Sequence, residues 1–297
     1  MRITNNMIAK NLLSTVQRNL QMANKARLNI ATTKKVRRPS DDPGGTFQIQ
    51  QFKVLISRND RYLKNITQIR GFTTNSEAAL QGISDDLETA KSIAIQGGSG
   101  TASAEARQSL AKNIDQLIDN IIDQGNSRFK GRFIFGGTQT TGTKPFTRSG
   151  DVVTYNGNDA DIKSTIGFDT QVTYNKSGND VFAPTGGVDI FSELIALKQG
   201  LESNDTDAIQ NAIDKLDGAL TQVTSLSAEF GVIQNRLTLT EQLIETKNIN
   251  LADFLSQIQD TDILEEIVNL QILENAMATT LRTMANVIQT SLVDFVS

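Results

Sequence analysis

The chain predicts a mainly α fold with a β-rich insert: an elongated helical bundle or coiled-coil rod built from both termini, with a small antiparallel β domain in the middle. Three observations carry this. Apolar residues recur at spacings of three and four through both halves, as one face of a 3.6-residue helix requires. Between the halves, from about residue 132 to 184, short alternating runs are separated by Gly, Asn, Asp and Thr. Only 38% of residues are hydrophobic and 5% aromatic, which favours thin, elongated structure over one thick core. The division expected is a terminal helical core (1–40 with 260–297), a long-helix rod (41–131 with 190–259) and a β-rich outer domain (132–189).

The first element is an amphipathic helix with Ala9, Leu13, Val16, Leu20, Ala23 and Ile30 on one stripe. Residues 1–40 hold nine Lys/Arg and no acid. A break follows, Lys34-Lys35-Val36-Arg37-Arg38-Pro39-Ser40-Asp41-Asp42-Pro43-Gly44-Gly45, in which Ser40 or Asp41 can cap a new helix and Pro43 suits its first turn. That helix keeps an unbroken 3–4 alternation through Phe52, Leu55, Asn59, Tyr62, Ile66, Ile69, Thr73, Ser76, Leu80, Ile83, Leu87, Ala90 and Ala94, a span of ~65 Å. It ends at Gly97-Gly98-Ser99-Gly100. The next helix carries Leu110, Ile114, Leu117 and Ile121.

In the insert, Arg132–Phe135, Asp151–Tyr155 and Gln171–Tyr174 read as strands, and Asn156-Gly157 is a two-residue hairpin signal. Helical spacing resumes near Asp205 and holds from Ile209 through Ala212, Leu216, Ala219, Val223, Leu226, Phe230, Ile233, Leu237, Thr240, Ile244, Lys247, Leu251 and Phe254 to Ile258. At Asp260-Thr261-Asp262 the register shifts and the last helix continues in a new frame, with Ile263, Ile267, Leu270, Met277, Leu281, Met284, Ile288 and Phe295 on its stripe. Residues 260–297 hold six acids and one base, Arg282. Two narrow stripes of opposite charge imply pairing with each other or with neighbouring subunits. The residues expected to carry subunit assembly are Leu13, Val16, Leu20, Ala23, Ile267, Leu270, Met277, Leu281, Met284, Ile288 and Phe295. So little burial on an isolated terminal helix does not offset ordering entropy, so both ends are expected to fold on assembly.

Absences exclude most chemistry. The 297 residues include no His, Cys or Trp, which removes Ser-His-Asp and Cys-His catalysis, Cys/His zinc sites, haem, iron–sulfur clusters and disulfides. A net charge of −4 gives no case for nucleic acid. No run approaches the ~20 apolar residues of a membrane span, and the start lacks the apolar core of a cleavable signal peptide.

The remaining candidates favour plain readings. Ser109-Leu-Ala-Lys112 matches a serine–lysine pattern without its partner motifs. Asn158, Asp159 and Asp161 offer oxygens to calcium without EF-hand spacing, beside a turn that favours such residues anyway. Asp85-Asp86-Glu88 and Glu265-Glu266 read as solvated helix faces, and Gly97–Gly100 as a turn. The triplets at Asn65, Asn175 and Asn204 read as chance glycosylation matches. Lys34, Lys35, Arg37 and Arg38 read as a connector with local charge partners, ahead of a nucleic-acid or lipid site. No cofactor, metal, nucleic acid or small-molecule substrate is expected, and no enzymatic activity.

Several segments resemble the bacterial flagellin family. Met1-Arg-Ile-Thr-Asn-Asn-Met is similar to its opening. Arg38-Pro39-Ser40-Asp41-Asp42-Pro43 resembles the Pro-Ser-Asp-Asp-Pro segment of the branch that joins hook to filament, where filament flagellins usually read Asp-Asp-Ala-Ala-Gly. Asp260-Thr261-Asp262 with Asn269-Leu270, closing on Ser291-Leu292-Val293-Asp294-Phe295, resembles the C-terminal helix. Phe133-Ile-Phe135-Gly-Gly and Tyr155-Asn-Gly157 also fit. One departure is Thr33, which stands where the family usually has the glycine of a Ser/Thr-Gly-Lys turn.

The resemblance implies a structural axial protein of the flagellum, required for motility and located outside the cell at the hook–filament junction. Export would run through the flagellar apparatus with an export chaperone and no cleaved signal. It implies a tubular homo-oligomeric layer, with hook-associated protein 1 on one side and flagellin on the other. The alternatives are a filament flagellin and, more remotely, an amphipathic membrane-surface coiled-coil scaffold.

Overall fold

The computed structural model describes residues 5–296, with side chains at residues 7, 8 and 10–285. The described helices are α1 (Asn5–Thr32), α2 (Pro43–Gly98), α3 (Ala104–Gly125), α4 (Gly178–Phe182), α5 (Ile190–Ser203), α6 (Thr206–Gln259) and α7 (Ile263–Val296). Between α3 and α4 lie β1 (Arg128–Phe129), β2 (Arg132–Phe133), β3 (Phe146–Ser149), β4 (Val152–Tyr155), β5 (Lys163–Gly167) and β6 (Thr170–Thr173). The predicted class, long helices from both ends around a small antiparallel β region, is the class observed. By packing, the chain divides into two compact units: residues 1–57 with 247–297, and residues 58–246. Both α2 and α6 contribute to each unit.

In the unit of residues 58–246 the predicted seam of α2 is buried from Ile66 through Ile69, Thr73, Ser76, Leu80, Ile83 and Leu87 to Ala94. The facing seam of α6 is buried at Ile209, Ala212, Leu216, Ala219, Val223, Leu226, Phe230, Leu237 and Ile244. The two segments run antiparallel, as three cross-links stepping in opposite directions require: Arg70 to Glu241, Gln234 to Glu77, and Lys91 to Asp217. Burying a Leu, Ile or Phe side chain contributes ~1.5–3 kcal/mol, so this seam dominates stability. Thr73 and Ser76 are tolerated in it because their hydroxyls donate back to the carbonyls of Arg70 and Phe72 at 3.1 and 3.0 Å.

Helix α3 packs its Leu110, Ile114, Leu117, Ile118 and Ile121 into the same core. Ser103 caps it, accepting from the Ala106 N–H at 3.2 Å. The expected turn comes two residues late: Gly97 and Gly98 still belong to α2, and the chain turns at Ser99, Gly100 and Thr101. The turn is closed by buried Arg107, which donates to the carbonyls of Gly97 and Ser99 and to Asn204 Oδ1 at 2.8, 3.2 and 3.2 Å. Helical structure also returns earlier than Asp205: α5 begins at Ile190, capped by Asp189, and buries Ile190, Leu194, Leu197 and Leu201. Its five core positions, Ile190, Phe191, Leu194, Leu197 and Leu201, lie on one short helix, which made it hard to separate from its loops.

The β region is three separate two-stranded hairpins, not one sheet. Asn156-Gly157 does not form a hairpin, which corrects the sequence reading. β4 pairs with β3 across Gly150-Asp151, with Gly150 at φ +63°. Asn156 is instead tied back to the start of the hairpin, donating its backbone N–H to the Pro145 carbonyl at 2.7 Å and its amide to the Lys144 carbonyl and to Thr147 Oγ1 on β3. The β1–β2 turn is Lys130-Gly131, both left-handed (φ +49° and +80°), the pattern of a type I′ turn. The Arg132–Phe135 run is strand only through Phe133, after which Ile134 and Phe135 enter the core.

Five charged residues tie α3, the β3–β4 hairpin and α5 together. Arg148 donates to Asp115 and to Asp119 (2.7 Å), while Lys198 donates to Asp115 (3.0 Å) and Asp151 (2.8 Å). The hydrogen bonds from Arg148 and Lys198 hold the Asp115 carboxyl below the usual range, and those from Lys198 and Gln199 do so for Asp151.

Candidate assembly site

The residues singled out in sequence for assembly lie in the unit of residues 1–57 and 247–297, where α1 packs against α7. Their opposite charges meet within the chain. Arg27 pairs with Glu274 at 2.7 Å, and Asn29 Nδ2 donates to Glu266 Oε1 at 2.6 Å. The bond order, 27 with 274 and 29 with 266, makes the helices antiparallel. The inner face of α1 is built on small side chains: Ala23 and Ala26 are buried, with Asn29, and Leu12, Val16, Asn19 and Ile30 are half-buried. The matching face of α7 runs through Glu266, Leu270, Leu273, Met277, Thr280 and Met284, all half-buried.

The predicted stripes are therefore split. Val16, Ala23, Leu270, Met277 and Met284 sit on the faces that α1 and α7 turn to each other. Leu13, Leu20, Ile267 and Leu281 are turned outward, 43–48% exposed. The side chains of Ala9, Ile288 and Phe295 lie outside the described residues. The stripe reading missed a second outward row on α7, Leu264, Val268 and Ile272, of which Leu264 is 77% exposed. Its signal was present as an i, i+4 spacing displaced from the heptad. Met22 and Leu28 add to the outward surface of α1. Together these side chains leave an exposed apolar surface beside an internally paired helix couple.

Between α1 and α2, and between α6 and α7, the two connectors pair with each other. Lys34 and Asp260 form an antiparallel bridge. The Gln259 carbonyl accepts from the N–H groups of Lys35 (2.8 Å) and Val36 (3.3 Å), and the Thr33 carbonyl accepts from the Thr261 N–H at 3.1 Å. At the predicted register shift, Asp260-Thr261-Asp262, α6 ends and the last helix starts anew at Ile263. Asp262 caps it, its Oδ1 accepting from Leu264 and Glu265 N–H at 2.9 and 3.2 Å. Thr33 keeps the turn despite the missing glycine, at φ +57°.

In the motif Arg38-Pro39-Ser40-Asp41-Asp42-Pro43 each acid has a separate task. Asp41 Oδ2 accepts the backbone N–H groups of Arg37 (3.1 Å) and Arg38 (3.0 Å), which hold its carboxyl below the usual range. The cap of α2 is Asp42, not Ser40 or Asp41: its Oδ1 accepts from Gly45 N–H at 3.0 Å, and Pro43 takes the first helical position. The Arg38 carbonyl accepts from Asp41 N–H at 2.9 Å, closing the turn over exposed Pro39 and Ser40. Among the described residues no ion pair within 4 Å joins the basic cluster; its local acid, Asp41, meets it through backbone N–H groups and a weaker attraction to the Arg37 charge. Lys35 Nζ donates to the Gln257 carbonyl at 2.9 Å, and the acid nearby serves backbone groups.

The other candidates are absorbed by the fold. Ser109 donates to the Glu105 carbonyl on an exposed helix face. Asn158 Oδ1 accepts from Thr138 N–H at 2.8 Å, where Gly137 (φ +64°) runs so close that a Cβ would fall 1.9 Å from the Asn158 carbonyl oxygen. Asp86 is raised by burial and accepts from Gln124, and Asp85 accepts from Gln81. Asn175 is buried between the Ala160 carbonyl and the Ile162 N–H, and Asn204 is the left-handed cap of α5. Among the described residues no group of three acids is placed to hold a metal, and no helix is long and apolar enough to cross a membrane.

Comparison with known proteins bears on the same helices. The family model for the bacterial flagellin N-terminal helical region matches residues 3–140, and that for the C-terminal helical region matches residues 213–296. The chain is 24% identical to the flagellar hook-associated protein 3 of Salmonella typhimurium over 285 residues, covering 88% of this chain and 89% of that one. It is 23% identical to the flagellin of Bacillus subtilis over 272 residues, 90% of each. Its fold is similar to that of the flagellar junction protein of Legionella pneumophila, with a TM-score of 0.59 and 16% identity over 73% of this chain and 100% of that one. With both helical ends matched over well more than half of its length, the chain belongs to the bacterial flagellin family.

Proposed function

We propose that this chain is the junction protein between flagellar hook and filament, a structural component required for motility and without enzymatic activity. The observation that carries it is the α1–α7 pair with its tied connectors. That unit places an internally paired helix couple beside outward Leu13, Leu20, Ile267 and Leu281, which suits lateral packing in a tube. Similarity to the Salmonella hook-associated protein 3 along most of both chains supports the junction over other axial positions, as does the Pro-Ser-Asp-Asp-Pro connector. On this reading identical chains form a tubular layer outside the cell, between hook-associated protein 1 and flagellin, after passage through the flagellar export apparatus with a chaperone. The functional division is terminal core (1–40, 260–297), long-helix layer (41–131, 190–259) and outward β domain (132–189).

Deleting the encoding gene should leave hooks that carry no filament and cells that do not swim. Filaments of normal length in the deletion strain would overturn the proposal. The second reading, a filament flagellin, rests on the match to the Bacillus subtilis flagellin over 90% of both chains. Quantifying the chain in sheared flagella separates the two: about one ring of copies per flagellum supports the junction, and thousands support the filament.

A further inference from the structure

Each terminal helix carries two overlapping heptad seams. On α1 one runs through Leu13, Val16, Leu20, Ala23, Arg27 and Ile30, the other through Leu12, Val16, Asn19, Ala23, Ala26 and Ile30. On α7 one runs through Ile267, Leu270, Glu274, Met277, Leu281 and Met284, the other through Glu266, Leu270, Leu273, Met277, Thr280 and Met284. The two seams of a helix share every second member, so passing between them is a roll of roughly 50° about its axis. Apart from one residue each, the first seams are the more apolar: Leu20 stands against Asn19 on α1, and Ile267 and Leu281 against Glu266 and Thr280 on α7. Apolar burial alone therefore favours pairing through the first seams. The helices pair through the second. Ala26 is 4% exposed, whereas Leu13, Leu20, Ile267 and Leu281 lie open.

The exceptional residue of each first seam is its one charge, Arg27 or Glu274, and these two meet at 2.7 Å with side chains 52% and 45% exposed. Pairing through the first seams would carry both charges into the interface, where the loss of hydration exceeds what a rim ion pair returns. The acid of the second seam is placed differently. Glu266 sits in the first turn of α7, which favours an acid, and accepts from Asn29 Nδ2 at 2.6 Å. We propose that Arg27 and Glu274 select the seam: they seat α1 on α7 through the poorer faces and so keep the Leu13–Leu20 and Ile267–Leu281 rows free for a neighbouring copy. Both rows lie on one side of the helix couple, because the Arg27–Glu274 bond joins them. The role of a neighbouring copy rests on the function proposed above; the seating does not. Arg27 and Glu274 are positioning residues. Their exposed bond adds little stability, and its effect is to exclude the competing pairing.

The chain contains no cysteine, so one introduced thiol reports the seating of α1 in the full-length protein. Leu20→Cys should react with a maleimide at least about tenfold faster than Ala26→Cys, since thiol reactivity follows exposure. Completing both apolar seams, with Arg27→Leu and Glu274→Leu together, should roll the couple. Labelling then slows at Leu20→Cys and quickens at Ala26→Cys, each by about tenfold, and the Tm rises. Exchanging the charges, Arg27→Glu with Glu274→Arg, should keep the original order, which a general loss of packing would not do. If the double-leucine chain aggregates, Arg27→Ala, which adds no apolar surface, should shift the ratio of the two rates a few-fold in the same direction. Equal rates in the otherwise unaltered chain, no shift with the double-leucine change or with Arg27→Ala, faster labelling at both positions, or a charge exchange that labels like the double-leucine chain would overturn the proposal. In a deletion strain the double-leucine chain should not restore swimming. Swimming restored despite reversed labelling would uphold the seating and overturn the reading of the outward rows as the assembly surface.

Discussion

Lys34 and Asp260 face each other as an antiparallel backbone bridge, one from each connector, with the Thr33 and Gln259 carbonyls accepting N–H groups on either side. This short ladder fixes where α1 ends and α7 begins relative to each other. The turn that enters it is made by Thr33 at φ +57°, a β-branched residue in a region costing ~1–2 kcal/mol for an L side chain. Replacing Thr33 by Gly should therefore stabilise the chain by up to about 1 kcal/mol, the remainder being offset by the freer unfolded chain. Denaturant unfolding, with amide exchange at Lys35, Val36 and Thr261, measures it. A destabilised Thr33→Gly chain would contradict the strain.

The split stripes of α1 and α7 make opposite predictions for neighbouring residues. Leu20→Glu or Ile267→Glu, on the outward side, should leave monomer stability within about 0.5 kcal/mol yet abolish complementation of motility in a deletion strain. Ala23→Glu places a charge on the buried α1–α7 face and should cost several kcal/mol. Thermal unfolding and swim-plate assays on the same variants separate the two effects.

Acid should weaken the tie between α3, the β3–β4 hairpin and α5. Asp115 and Asp151 are held below their ordinary values by their bonds to Arg148, Lys198 and Gln199. Carboxyls of that kind stabilise the fold above their unfolded-state pKa of about 3.9 and lose the contribution as pH falls through their lower folded values. The Tm of Asp115→Asn should lie below that of the unaltered chain at pH 7, and the two should converge as pH drops below about 4. A constant gap across that range would exclude the ion pairs as its source.

Two substitutions on the α2 seam should differ sharply. Leu87→Ala empties a fully buried position and should cost ~2–5 kcal/mol. Ser76→Ala, equally buried, removes a hydroxyl that bonds only to its own helix and should stay within about 0.5 kcal/mol. Urea unfolding with unchanged m-values provides the comparison.

The heptad alternation from Ile66 to Ala94 and from Ile209 to Ile244 was legible because a helix face repeats along the chain, and side chains three and four apart must share a partner. The same logic placed the helix-ending connectors and the texture change near residue 132. It excluded chemistry built on His or Cys, because the sequence contains neither. What it left undecided depends on contacts between residues far apart in sequence. Asn156-Gly157 has the composition of a hairpin turn, but the ring of Tyr155 and the carbonyl of Pro145 hold it elsewhere, and Gly150 turns the chain instead. Thr33 carries no composition signal for a left-handed turn; the pairing of its carbonyl with Thr261 imposes one. The terminal stripes were visible as periodicity, but periodicity does not say which edge meets a partner. Only the antiparallel seating of α1 on α7, set by Ala23 and Ala26 and by the Arg27–Glu274 pair, turned Leu13 and Leu20 outward, because a helix can bury one face against one neighbour and must leave the rest for others.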